Sequence, residues 1–206
     1  AITIEQEFTY GGAFDLSGKT VTLDGAENND DTPFICLGNF AGFLVINKSH
    51  VSSDTTLVSD CTISGNFTRT DGPINASSGL TTLTVLGNFS AATTDRLGQP
   101  SSTLSFASSG IQYASSTGVP WGGPLVVSST NSTGELRLPS NLISSSTCDV
   151  VEGTLSLLGR NLTCSGAFTV QDGGTLRLQG GETVTAPVFQ STSTLLMTGD
   201  GDSAAD

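Results

Sequence analysis

Short runs of alternating apolar and polar residues are strung along the whole chain. Examples are Val21-Thr22-Leu23, Leu83-Thr84-Val85, Leu104-Ser105-Phe106, Leu136-Arg137-Leu138, Leu155-Ser156-Leu157 and Leu176-Arg177-Leu178. Each sets two apolar side chains on one face with a polar one between them, the pattern of a half-buried strand. Turn residues close most of these runs: Asp24-Gly25, Gly87-Asn88, Pro139-Ser140, Gly159, Gly180-Gly181 and Gly199-Asp200. No Gly- and Pro-free stretch of ten residues carries helical apolar spacing. Ser, Thr and Gly dominate, and these favour strands and turns. The pattern predicts an all-β chain.

The runs recur with a long-range beat. Leu23, Leu44, Ile63, Leu83, Leu104 and Leu125 follow one another at steps of 21, 19, 20, 21 and 21 residues. Leu136, Leu155, Leu176 and Leu195 continue at 19, 21 and 19, after one step of 11. A period near 20 is the mark of a stacked repeat. The Leu-x-x-Leu-x-Leu pattern of leucine-rich repeats is absent. A β-sandwich, the second choice, gives strands every 8 to 12 residues without such a beat. The expected fold is therefore a parallel β-helix, or β-solenoid, of about nine turns. At roughly 4.8 Å per turn it makes a rod of about 40 Å. Residues 1–206 are read as one such domain, with a loop or phase break at 114–135. Whether the halves flanking residue 125 form one rod or two blocks stays open.

Two further patterns refine this. Gly-Asn-Phe occurs at 38–40, 65–67 and 87–89, and Gly-Ala-Phe at 12–14 and 166–168. A glycine turn followed by an inward phenylalanine predicts rings stacked between turns. The only tryptophan lies in the phase break, in Val119-Pro120-Trp121-Gly122-Gly123-Pro124. Trp121 is expected either on a protruding contact loop or capping an apolar gap.

Charge narrows the partners. Seven Lys plus Arg against 19 Asp plus Glu give a net charge of -12. Such a chain has no basic surface from which to release phosphate counterions, so nucleic acid is excluded as a partner. Docking on an anionic leaflet is disfavoured for the same reason. No apolar run reaches the roughly 18 residues that cross a bilayer, so no membrane insertion is expected. The opening AITIEQEFTY has neither a basic n-region nor an apolar h-region. It reads as a secreted chain whose signal peptide is already removed. With only 13% charged residues, polarity comes mainly from 57 Ser plus Thr.

The cysteines point to the same compartment. Cys36 and Cys61 are 25 residues apart, and Cys148 and Cys164 are 16 apart. Either spacing suits neighbouring turns of the coil, where Cα atoms approach to disulfide distance. The expected pairs are Cys36–Cys61 and Cys148–Cys164. Zinc is the rival reading, but there is no Cys-x-x-Cys and one His. Asn-x-Ser/Thr triplets begin at Asn47, Asn66, Asn75, Asn88, Asn131 and Asn161, six where composition alone gives about three. They are glycosylation acceptors if the chain meets the machinery.

Catalysis is poorly supplied, and no catalytic residue is assigned. His50 is the only histidine and sits in a turn-like Asn-Lys-Ser-His, with no Gly-x-Ser-x-Gly elbow elsewhere. Asp149, Glu152, Asp172 and Glu182 are the carboxylates that a polysaccharide-active β-helix enzyme would pair. Asp172 sits in Gln-Asp-Gly-Gly, a turn signature in which Asp is structurally at home. No cofactor is expected. Calcium has weak candidates in Asp24, Glu27, Asp30 and Asp31, and in Asp200 and Asp202, but neither set completes a calcium loop. Thr-x-Thr pairs at 20, 68, 82 and 183 raise an ice-binding reading, yet they do not recur at one position of the repeat.

Gly153-Thr-Leu-Ser-Leu-Leu-Gly159 and Gly166-Ala-Phe-Thr-Val-Gln-Asp-Gly-Gly-Thr-Leu-Arg-Leu-Gln-Gly-Gly181 resemble the rungs of secreted β-helix surface proteins. Autotransporter passengers and repetitive adhesins are of this type. The resemblance covers 150–200 clearly and 55–110 more weakly. It implies an extracellular or cell-surface protein of structural or adhesive role. A β-coil leaves unpaired backbone groups at its ends, and no helical cap is visible in the sequence. Ile2-Thr3-Ile4 alternates like a strand that would pair with another subunit. The leading expectation is a self-assembling, head-to-tail subunit of a surface fibre, filament or layer. The alternative is a monomeric adhesin or carbohydrate-binding module that reaches glycans or a cell surface through the Trp121 loop.

Overall fold

A computed structural model describes residues 1–4, 8–10, 16–25, 32–36, 38–49, 55–76, 81–92, 102–129 and 131–199. Among them there is no helix, and every strand pairing is parallel. The chain is a β-solenoid, which excludes an antiparallel sandwich. Among the described residues the short strands fall on three sides, and strands from successive coils ladder along the axis.

Among the described residues the ladder of the first side holds ten strands. They are Ile2–Ile4, Thr20–Gly25, Phe43–Lys48, Phe67–Asp71, Phe89–Ala91, Ile111–Ser116, Glu135–Arg137, the second half of Cys148–Ser156, Gly174–Leu178 and Thr194–Met197. The second side carries Phe8–Tyr10, Thr32–Cys36, Thr55–Leu57 and Ile74–Ala76, then Leu142–Ser144 and Leu162–Cys164. The third side runs from Gly38–Phe40 through Cys61–Ile63, Thr82–Val85, Thr103–Phe106, Leu125–Ser128, Cys148 and Phe168–Val170 to Pro187–Phe189.

Alternation converts directly into an interior. On the first side Val21, Leu44, Phe67, Phe89 and Ala114 stand in one buried column. On the third side Cys61, Leu83, Leu104, Leu125, Cys148 and Phe168 do the same. Phe67 and Phe89 stack with centroids 5.4 Å apart, and Phe89 meets Phe106 edge-on at 5.8 Å. Phe40 and Phe168 are buried as well. The Gly12–Phe14 copy of the motif lies outside the described residues. Glycines at one corner let the coils close up. A Cβ on Gly65 would lie 2.5 Å from the Gly42 carbonyl oxygen.

The 11-residue step does not interrupt the stack. Ile63 to Leu125 belong to the third side, whereas Leu136 onward belong to the first. Leu125–Ser128 pairs with Thr103–Phe106 on one flank and Cys148–Ser156 on the other, so the ladder runs straight through. The first side shifts at Ile111–Ser116. The last three residues of that strand pair with Phe89–Ala91, and the first three with Glu135–Arg137.

Trp121 overturns the expected contact loop. It is 1% exposed, pairs with Ser144, and donates its ring N–H to the Ser102 carbonyl at 2.9 Å. The Pro and Gly residues around it shape a corner of the coil, and the indole fills the interior behind it.

Candidate functional site

Both expected disulfides are formed, with Cα separations of 5.3 Å for Cys36–Cys61 and 6.0 Å for Cys148–Cys164. Each ties the end of a second-side strand to the start of a third-side strand in a neighbouring coil, so both staple the same corner. No helix long and apolar enough to cross a membrane is present among the described residues.

The sequons spread along the stack. Asn66, Asn88 and Asn131 are exposed; Asn47, Asn75 and Asn161 are half-buried. Several act as rungs between coils. The amide oxygen of Asn66 accepts from the Asn88 backbone N–H at 2.9 Å, that of Asn88 from Tyr113 at 2.9 Å, and that of Asn161 from Thr183 at 2.8 Å. Asn47 accepts from the Thr70 hydroxyl at 2.7 Å. Asn131 accepts from the backbone N–H and hydroxyl of its own Thr133.

Two of the four carboxylates singled out for catalysis, Asp172 and Glu182, are engaged in turns. Asp172 accepts from the Thr192 N–H at 2.8 Å and the Ser191 hydroxyl at 3.3 Å, and these bonds hold its pKa below the ordinary value. Burial pushes Glu182 upward, but backbone N–H groups of Gln179, Gly180 and Gly159 at 2.7 to 3.0 Å outweigh it and lower its pKa. Asp149 points outward on the third side between Val126 and Thr169. Glu152 is exposed at the corner that follows. Among the described residues no three His, Cys, Asp or Glu side chains converge as a metal site. Asp24 accepts from the Gly25 N–H and the Asn47 side chain. Glu27, Asp30, Asp31, His50, Asp200 and Asp202 lie outside the described residues.

Two features stand out that the sequence reading did not assign. The first is the final coil. Leu195 continues the column of Leu176, and Met197 that of Leu178. Both positions face the axis, yet Leu195 is 49% and Met197 55% exposed. Phe189, in the column of Val170, is exposed too, beside Val188 and Leu196. At the other end Ile2, in the column of Val21, is 45% exposed. Among the described residues, six of the ten large exposed apolar side chains thus lie on these two coils.

The second is a polar cluster on the outer face of the first side. Tyr113, Arg137, Ser156 and Arg177 occupy one outward row in consecutive coils, with Ile111, Glu135, Thr154 and Thr175 in the row beside it. Glu135 accepts from Arg137 at 3.0 Å and from Arg177 at 2.8 Å. To reach Glu135, Arg177 passes over the intervening coil and covers Ser156, leaving it 1% exposed. The Arg137 pKa is raised, first by its hydrogen bond to Glu135 and further by the Tyr113 hydroxyl. Arg137 Nε, Arg177 Nε and Ser156 Oγ are buried and have no hydrogen-bond partner among the described residues.

Comparison with protein-family models, with curated proteins and with solved structures returns no match.

Proposed function

We propose that the chain is an extracellular structural subunit that stacks head to tail into a filament or layer, carries glycans and performs no catalysis. The observation that carries this reading is the final coil, where axis-facing Leu195 and Met197 stand in solvent. A second copy entering with Ile2–Ile4 beside Thr194–Met197 would extend both apolar columns. Leu195 would meet Ile2 of that copy and Met197 would meet Ile4, in the parallel register used throughout. The contact joins two different surfaces stacked along one axis, so it propagates as a filament. Burying apolar area at about 25 cal/mol per Å² drives the association.

Compartment and modification have separate support. Two disulfides suit an oxidising space, and exposed sequons suit glycan attachment at Asn66, Asn88 and Asn131. The engagement of Asp172 and Glu182 in turns favours a structural over a hydrolytic role. Outward hydroxyl rows favour ice less, because Val45, Val126 and Asp149 interrupt them.

Sedimentation velocity over a range of concentrations tests the assembly. The expected result is heavy species that grow with concentration in the parent chain and vanish in the Leu195→Asp, Met197→Asp double variant, with circular dichroism unchanged. A parent chain that sediments as a single monomer at every concentration contradicts the proposal.

A further inference from the structure

The row of Tyr113, Arg137, Ser156 and Arg177 has a use that assembly does not require. We propose that it binds an acidic saccharide chain laid along the solenoid axis, with Glu135 holding both arginines in place.

Charge distribution singles out this row. The chain has seven basic residues. Lys48 and Arg69 are fully buried in the interior, where Lys48 donates to the Asp24 carbonyl at 2.8 Å and Arg69 to the Gly72 carbonyl. Of the cations left on the described surface, Arg137 and Arg177 share one row and one carboxylate, whereas Lys19 and Arg160 belong to separate turns. Two guanidinium groups against one carboxylate leave a local positive surplus on a chain of net charge -12.

The donor balance sets the ligand chemistry. Each guanidinium offers five N–H donors, and Glu135 takes one from each arginine. The pair therefore offers more terminal N–H donors than Glu135 takes, on side chains that stay 29% and 32% exposed. A ligand group that only accepts, a carboxylate or a sulfate, suits such a fork. Glu135 pre-orients the arginines, which lowers the ordering cost of binding.

The shape sets the class of carrier. Tyr113 to Arg177 spans three coil spacings, about 14 Å at the strand separation of a sheet, so the site matches an extended polymer better than a single ion. The strands of Arg137, Ser156 and Arg177 are paired on both flanks. On the flank of Ile111–Tyr113 away from Glu135–Arg137 the Tyr113 N–H is already taken by the Asn88 amide oxygen, which disfavours a peptide joining as a strand. The exposed face of Tyr113 and the Ile111 side chain offer apolar surface to sugar C–H groups, and Thr154 and Thr175 set hydroxyls alongside. At physiological salt the Debye length is about 8 Å, so remote acidic residues repel the ligand little.

The test is isothermal titration of the full chain with polygalacturonate, dextran sulfate, neutral dextran and poly-glutamate. Binding of polygalacturonate or dextran sulfate is expected, and which of the two binds more tightly identifies the oxyanion. That binding should weaken at least tenfold in Arg177→Gln and in Tyr113→Ala, and stay within twofold in Arg160→Gln. Tyr113 is 40% exposed, so its variant keeps the test decisive if Arg177→Gln fails to fold. Failure of both acidic polysaccharides to bind overturns the proposal. So does binding that ignores the two variants, or equal binding of dextran or poly-glutamate.

Discussion

Phe89 sits where the stacking account makes its most quantitative demand. It is 2% exposed, lies face to face with Phe67 at 5.4 Å, and meets Phe106 edge-on at 5.8 Å. Truncation to alanine removes a ring from the middle of the solenoid, with further coils on either side of it. Core Phe→Ala changes cost about 3 to 5 kcal/mol, and each aromatic pair adds about 0.5 to 1.5 kcal/mol beyond area burial. Losing both pairs places Phe89→Ala near the upper end, at about 4 to 5 kcal/mol. Phe89→Leu keeps most of the volume and loses only ring geometry, at about 1 to 2 kcal/mol. Urea unfolding reads this through the fluorescence of Trp121, the only tryptophan, itself buried in the coil stacked on that of Phe89. With a slope of about 3 kcal/mol per molar, the Phe89→Ala midpoint falls by about 1.3 M or more. Phe43→Ala, at an outward and partly exposed position, changes stability by less than about 0.5 kcal/mol. Equal midpoints for the two variants would refute the stacked-ring interior. A shift in circular dichroism without one in Trp121 fluorescence would refute a single cooperative stack.

Other positions make sharp demands of their own. Gly65→Ala pushes a Cβ to 2.5 Å from the Gly42 carbonyl oxygen; it should cost about 1 to 3 kcal/mol by thermal unfolding. Gly110→Ala, with open space around its Cβ, serves as the near-neutral control. Replacing Cys36 and Cys61 by serine opens a 25-residue loop, which the chain-entropy relation values at about 3.5 kcal/mol, and denaturant titration of the oxidised parent and the variant measures it. Glu182 has a pKa lowered by folding, so it contributes stability above its unfolded pKa and loses that contribution as pH falls through the folded one. Stability measured across the acid range should therefore fall more steeply in the parent than in Glu182→Gln, and parallel curves would contradict the turn-clamp role.

Alternation and period made the architecture legible, because in a parallel stack the in–out pattern of each strand is copied by register to the next. The assignment of runs to sides was not legible. Leu125 and Leu136 looked like a broken phase, but they belong to different sides of one coil. For Trp121 the flanking Pro and Gly left a protruding loop and a cap over an apolar gap equally open; only the stacked neighbour reveals the Ser102 carbonyl that receives its N–H. Lys48 follows Leu44 and Ile46 in the alternation, so its inward direction was present in the pattern, although its charge argued for solvent. The disulfides were readable from spacing, since near-period separations bring Cα atoms to bonding distance. The arginine row was half visible: Arg137 and Arg177 lie 40 residues apart, two periods of the repeat. The carboxylate that joins them became apparent only with the register.

The central claim is that these coils continue from one molecule into the next. Negative-stain electron microscopy of the purified chain at increasing concentration tests it most directly. The ten strands of the first side, at about 4.8 Å each, set an axial repeat of about 48 Å. Unbranched filaments with that repeat, absent in the Leu195→Asp, Met197→Asp variant, are the expected result. Discrete short rods at every concentration would contradict it.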